Sequence, residues 1–164
     1  LERNLKANVK GTPLPIHCAL GASDGVVQFH ESGLCGAWNH VSSRGHLGAS
    51  DANTSVQMTT VDSLMANRDR LDFVKIDVEG FEAEVLKGME RTIERFAPVV
   101  HMEINSITTI LEADQSPRDL LRQFTELMGN VYAYGDNDRL VPLDTDDAQR
   151  LFRELGAAVD DLGE

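Results

Sequence analysis

The chain has 164 residues, enough for one domain with a sizeable core. Its 41% hydrophobic and 26% charged residues exclude wholesale disorder. Fifteen Lys and Arg against 27 Asp and Glu leave a net charge of −12, which argues against nucleic acid and anionic membranes as partners and suits a cytoplasmic protein.

The first residue, Leu1, enters directly into a polar, helix-like stretch, so the chain is expected to be cut from something longer. No signal-peptide pattern is present, and no apolar run reaches the ~18 residues that a membrane helix needs. Leu5 and Val9 stand four apart and Gly11 is a stop, which predicts the end of a helix over residues 1–10. Pro13 and Pro15 lead into Ile16-His17-Cys18-Ala19-Leu20, a predicted strand. Gly21-Ala22-Ser23-Asp24-Gly25 is a turn by composition, joining it to the strand Val26-Val27-Gln28-Phe29. That turn precedes a strand, whereas a dinucleotide loop must open a helix.

Residues 31–53 are rich in Gly, Ser, Asn and His, the pattern of a long functional or mobile loop. Cys35, His40 and His46, with His30 nearby, match no standard zinc spacing and read as free polar loop residues. A single histidine there, such as His40, has the chemistry to act on a substrate. Cys18 and Cys35 read as reduced thiols. Strand character returns over 55–61, and Asp62-Ser63-Leu64-Met65 opens a helical turn.

Phe73-Val74-Lys75-Ile76-Asp77-Val78 is an apolar, β-rich run, as expected of a strand covered on both faces. Glu79-Gly80 follows. Phe81, Val85, Leu86, Met89, Ile93 and Phe96 then form the stripe of one continuous helix. Pro98 restarts the chain as the strand Val99 to Ile104. Ser116-Pro117-Arg118-Asp119 is a capping box with proline at the first helical position, and its helix runs to Gly129. Val131 to Tyr134 and Leu140 to Leu143 read as a hairpin. The tail from 144 is acidic, with a helical stripe at Leu151, Phe152 and Leu155.

This alternation predicts an α/β domain with a mostly parallel sheet and an antiparallel C-terminal hairpin. Ligands of such sheets sit beyond the carboxyl ends of the strands. That rule singles out Leu20-Gly21-Ala22, Asp77-Val78-Glu79-Gly80 and Glu103-Ile104-Asn105. Alternation puts Phe73, Lys75 and Asp77 on one face, and His101, Glu103 and Asn105 on one face of the next strand. Lys75 is expected to pair with Glu103, and Asp77 to lie near Asn105. Lys75 is then either a general base or half of a buried structural pair; Asp77 is either a contact to ligand or a support of the strand end. Oxygen ligands at Asp77, Glu79, Glu103 and Asn105 would suit magnesium, but Glu79 and Glu82 are also explained by the helix dipole, and no metal is expected.

Thr59-Thr60-Val61-Asp62-Ser63-Leu64, Asp72-Phe73-Val74-Lys75-Ile76-Asp77-Val78-Glu79-Gly80-Phe81-Glu82, Val85-Leu86-Lys87-Gly88, Pro98-Val99-Val100 and Glu103-Ile104 together resemble the FkbM-type methyltransferases. Asn4, Asn8, Ala19-Leu20-Gly21 and Asp24-Gly25 fit the same pattern. The resemblance covers residues 1–143, taken as an N-terminally truncated methyltransferase domain, with 144–164 as a helical acidic tail. It implies a class I, Rossmann-like methyltransferase sheet lacking its first strands, with S-adenosylmethionine as donor. It implies O-methylation of a hydroxyl on a sugar or natural-product-type small molecule. By position, Ala19, Leu20, Gly21 and Asp77 would bind the donor, and Asp77, Lys75 and Glu79 would carry catalysis. Glu103, Asn105 and His40 would contact the acceptor. The strand and Gly-rich loop that grip the donor in this family are absent from the chain, so the segment alone is expected to be inactive and to expose an apolar sheet edge. The alternative is a non-catalytic methyltransferase-like module that binds a partner.

Overall fold

The computed structural model describes residues 2–30, 40–41, 53–104, 116–134 and 139–143. Helix α1 (Glu2–Asn8) ends three residues before Gly11, whose φ of 121° only glycine adopts readily. Strand β1 (Ala19–Leu20) is shorter than expected, because Ile16 is exposed and outside any ladder. β2 (Gly25–His30), β3 (His40–Val41) and β4 (Asn53–Thr59) complete one sheet in the order β1-β4-β2-β3. β1 runs parallel to β4, while β2 is antiparallel to both its neighbours. The turn after β1 therefore carries the chain across the end of β4 instead of folding β2 onto β1. Asp24 pins that crossing by accepting from Thr59 Oγ1 at 2.6 Å and Ser63 Oγ at 3.3 Å. The Thr59 bond is the main reason the Asp24 carboxyl titrates below its ordinary range.

Val61, expected to end β4, instead opens α2 (Val61–Met65). Thr60 is extended and its hydroxyl accepts from Ser63 N at 2.9 Å, a side-chain cap that starts the helix there. β5 (Phe73–Ile76) then pairs in parallel with β6 (Val99–Met102), with Lys75 opposite His101.

Between them the expected single helix is two, α3 (Glu82–Lys87) and α4 (Glu90–Phe96). The break is at Gly88. Its carbonyl accepts from Asp62 N at 2.9 Å. The Gly21 carbonyl presses so close that a Cβ on Gly88 would stand 2.0 Å from its oxygen. Met89, the N-cap of α4, has no side-chain acceptor. Asp62 caps α4 from 30 residues away, accepting from Thr92 N and Thr92 Oγ1 at 2.7 Å each and from Arg91 Nε at 3.2 Å. Burial alone would raise the Asp62 carboxyl; the bonds from Thr92 and Arg91 outweigh it and hold it below its ordinary range.

α5 (Pro117–Met128) starts as expected, with Ser116 accepting from Arg118 N at 3.2 Å and proline in the first turn. Only half of the capping box forms, because the Asp119 carboxylate is taken by Arg122. β7 (Val131–Tyr134) and β8 (Leu140–Leu143) are the antiparallel pair predicted.

The core lies between the helices and one face of β5–β6. Ile76 is buried with Val85, Leu86, Met89, Ile93, Leu120 and Phe124, and Val74, Val100 and Met102 pack against them. The other face is open among the described residues, with Phe73 56% and Val99 65% exposed. The expectation of a strand covered on both faces is corrected accordingly. β5 has one paired edge among the described residues, and three of the five strand pairings are antiparallel. The architecture among the described residues is therefore mixed α/β, not mostly parallel: β2 lies antiparallel to both β3 and β4. Residues 144–164 and, within the loop expected over 31–53, residues 31–39 and 42–52 lie outside the described residues.

The glycine contacts make a testable contrast. Gly88→Ala drives a methyl into backbone that cannot yield, with an expected cost of at least about 3 kcal/mol. Gly21→Ala meets mainly the flexible Met58 thioether, with an expected cost of about 1–2 kcal/mol. Urea denaturation of both variants measures the difference.

Candidate functional site

The carboxyl end of β5 leads into Asp77, Val78 and a tight turn. Glu79 has φ 51° and Gly80 φ 98°, two consecutive left-handed residues. The second is at home there; the first, a side-chain-bearing residue, is held there by its surroundings. Phe81 follows, its Cε1 3.0 Å from where a Cβ on Gly21 would stand. The ends of β1 and β5, singled out separately from sequence, thus meet through Phe81. Glu103 joins them: its N–H donates to Ile76 O at 3.0 Å and continues the β5–β6 ladder by one rung.

Lys75 is ion-paired with Asp77, not with Glu103 as expected. The two share a face of β5 two residues apart, within reach of a long ammonium stem. Glu103 is one rung beyond the register partner of Lys75, His101, and acts on it only through charge. Nor is the pair buried: the side chains are 50% and 38% exposed, on the open face of the sheet. The hydrogen bond to Asp77 raises the Lys75 ammonium above its ordinary value, against the opposing effect of burial. A lysine held more firmly as a cation is no proton acceptor near neutral pH. In this geometry the ammonium orients Asp77 and offsets its charge.

Glu79 is half-buried and titrates above its ordinary range. Burial is the main cause; the charges of Asp77, Glu103 and Glu82 add to it. Three other carboxylates thus stand near enough to act on Glu79, and the one described lysine at this strand end is paired with Asp77.

The remaining candidates separate. Ala19 and Leu20 are half-buried, and Leu20 packs on the core. Gly21 is buried, and the space that its missing side chain leaves is filled by Met58 and Phe81. Its smallness serves protein packing. His40 lies in β3, at the outer edge of the four-stranded sheet. It stands opposite His30, which in turn faces Asn53 at the start of β4, while Leu20 faces Thr59 at its end. The sheet therefore carries His40 away from the strand-end cluster. Asn105, Cys35 and His46 lie outside the described residues. Among the described residues, no group of three His, Cys, Asp or Glu side chains is arranged to hold a metal ion.

Two residues were missed as such in the sequence. Asp62 read as a helix opener, and the signal for its capping role was Gly88 interrupting an otherwise helical stripe. Glu82 read as a favourable charge at a helix start, yet it is 2% exposed.

The raised Glu79 titration has a sign. Folding favours the protonated acid, so its ionisation opposes folding. That penalty is absent below the unfolded pKa, grows between the two values and is complete above the folded one. Glu79→Gln is expected to be more stable than the parent near pH ~7, with the gain vanishing as the pH falls below about 4, where the carboxyl is protonated in both states. Denaturant midpoints across that range measure it.

Comparison with known proteins follows the same residues. The family model described as the methyltransferase FkbM domain matches residues 1–136. The hexuronic acid methyltransferase AglP of Haloferax volcanii is 27% identical over 119 residues, which are 71% of this chain and 44% of that protein. The chain thus spans less than half the length of the curated relative it matches. No solved structure matches significantly. With the family's Lys-Ile-Asp-Val-Glu-Gly block forming the end of β5 and its turn, and the match covering most of its length, the chain belongs to the FkbM methyltransferase domain family.

Proposed function

We propose that this chain carries part of the active site of an S-adenosylmethionine-dependent methyltransferase that methylates a hydroxyl oxygen on a sugar or natural-product-type small molecule. The observation that carries the reading is the carboxylate-rich end of β5. Lys75 pairs with Asp77, while Asp77, Glu103 and Glu82 all act by charge on Glu79, which is partly withdrawn from water. Such a site suits a cationic ligand, and the donor's sulfonium is a cation. The donor supplies an activated methyl group. Asp77, oriented by Lys75, and Glu79 would stand beside the sulfonium and the acceptor hydroxyl. Ala19 and Leu20, with the backbone of Gly21, would flank the donor's adenine side. Glu103, with Asn105, would contact the acceptor.

Methyl transfer from a sulfonium depends chiefly on orientation and exclusion of water. An oxygen acceptor also needs somewhere to leave its proton. With Lys75 held as a cation, Asp77 and Glu79 are the described groups at this strand end suited to take it. A sugar acceptor is favoured by the name of the Haloferax volcanii relative. Residues 1–143 form the methyltransferase part in this reading, 144–164 an appended acidic tail, and the setting is cytoplasmic. No helix among the described residues is long and apolar enough to cross a membrane.

A second reading is favoured by a different observation. The open face of β5–β6, with Phe73 and Val99 exposed and one edge of β5 unpaired among the described residues, suits a non-catalytic module that binds a protein partner there.

Calorimetric titration separates the two. S-adenosylmethionine and S-adenosylhomocysteine are titrated into this segment and into the gene product in full. Binding to the full product, absent or much weaker in the segment, supports the methyltransferase reading. Binding of the cationic donor should also strengthen as the pH rises through the Glu79 titration. Binding to neither, with both folded, moves the assignment to the partner-binding module. In the full protein, Asp77→Ala is expected to slow methyl transfer at least about tenfold, or ~1.4 kcal/mol of barrier. Near-normal turnover in a folded variant removes Asp77 from the site.

A further inference from the structure

Glu82 is the one described carboxylate that is almost wholly buried, at 2% exposure. Its Oε1 accepts from Gly80 N at 3.2 Å. Its Oε2 is buried without a hydrogen-bond partner. A buried, half-satisfied carboxylate is strongly unfavourable compared with an apolar side chain of the same size. Nothing in α3 demands it. The helix dipole is already served by Glu84 in the same turn, which is paired with Lys87. Its helix neighbours Ala83, Val85 and Leu86 belong to the apolar core. A residue so costly to place is expected to hold something else in place.

What it holds is the turn. Phe81, the N-cap of α3, has no side-chain oxygen to offer the helix start. Glu82 reaches back past it to Gly80, the second of the two left-handed residues. The first is Glu79, which bears a side chain in a conformation that such residues avoid. A strained residue persists only where its neighbours over-determine it. The Glu82–Gly80 bond is the described side-chain contact that does so.

We propose that Glu82 is a positioning residue: by holding the Gly80 N–H from the buried side, its carboxylate fixes the left-handed Glu79–Gly80 turn and thereby sets where Glu79 and Asp77 stand at the end of β5. Its consequence for methyl transfer rests on the function proposed above; its control of the turn does not. The charged groups facing Glu79 are Asp77, Glu103 and Glu82, with Lys75 paired to Asp77. Glu82 thus acts on Glu79 in two ways, through the backbone bond and through its charge.

The test compares Glu82→Ala and Glu82→Gln with the parent in the gene product in full. Amide hydrogen exchange at Gly80 reads the bond. It should quicken at least about tenfold in Glu82→Ala and by less than about threefold in Glu82→Gln, which keeps the acceptor. Exchange at Ile93 in α4 should not change in either. The Glu79 carboxyl, followed by NMR, should titrate lower in Glu82→Gln, because a neighbouring negative charge has gone. Binding of S-adenosylhomocysteine, by calorimetry, should weaken at least about tenfold in Glu82→Ala and be restored to within about threefold by Glu82→Gln.

Unchanged Gly80 exchange in a folded Glu82→Ala variant overturns the proposal, as does a Gln variant as impaired as the Ala one. If Glu82→Ala does not fold, Glu82→Gln decides: retained Gly80 protection with a lowered Glu79 titration supports it, and lost protection overturns it. A parent that binds neither donor nor product sinks the methyltransferase reading, while Gly80 exchange still settles what Glu82 does to the turn.

Discussion

The backbone contact between Gly21 and Gly88 is the constraint on which the rest of the arrangement depends. The carbonyl of one residue sits where the other's Cβ would be. That approach brings the end of β1 against the C-terminus of α3, and so joins the four-stranded sheet to the helical layer over β5–β6. It also denies α3 any continuation. The helix must stop, and the next one must start with a methionine at its cap. Asp62 resolves both consequences. Its N–H takes the Gly88 carbonyl, and its carboxylate takes the first free N–H groups of α4. Bonds of this kind, from a charged acceptor to buried donors, contribute about 1.5–3 kcal/mol each. They are strong enough to fix how the two layers meet.

Much of this was legible in the chain, and the limits were physical. Helix α5 was readable throughout, because its cap, first-turn proline, apolar stripe and terminal glycine are all local and all agree. The hairpin of β7 and β8 was readable for the same reason. The break at Gly88 was not. Its stripe keeps helical spacing across the break, and the contact that ends α3 comes from a residue 67 positions earlier. The order β1-β4-β2-β3 was equally hidden, since a short strand, a turn and another strand look like a hairpin until β4 is seen to lie between them. At the candidate site the pairing of Lys75 was not legible. The alternation that put Lys75 and Asp77 on one face already made them partners; looking across to Glu103 passed over the nearer acid. His40 was attractive by chemistry alone, and register removes it from the strand-end cluster.

Electrostatics sharpens the division of labour at the end of β5. A lysine and three or four acids in one small region can be arranged in many ways. Here Lys75 neutralises Asp77 on the solvent side, and Glu79 and Glu82 are left on the protein side without a cation. The uncompensated charge is therefore the less hydrated one, and its cost is borne in the absence of ligand. A cation that reached Glu79 would recover part of that cost, whereas one placed beside Asp77 would meet charge already offset. In the function proposed above, recognition of a positive group would therefore fall more to Glu79 than to Asp77, although Asp77 is the residue that the strand-end rule first picks out.

The family's signature block can be understood as two unusual backbone events joined by a spacer. At one end is the left-handed Glu79–Gly80 turn; at the other is the Gly88 contact. Between them runs α3, six residues and about 9 Å of rigid helix. Glu82 ties the first event to the start of that helix, and Asp62 ties the second to the sheet on the far side. Because a short helix does not stretch, the position of the acidic turn is referred to β1 and β4 through α3 as well as directly through β5. A change at Gly88 would then be felt at Glu79 without touching it. The two glycines and the acids Glu82 and Asp62 form one mechanical chain, and its free end is the carboxylate cluster.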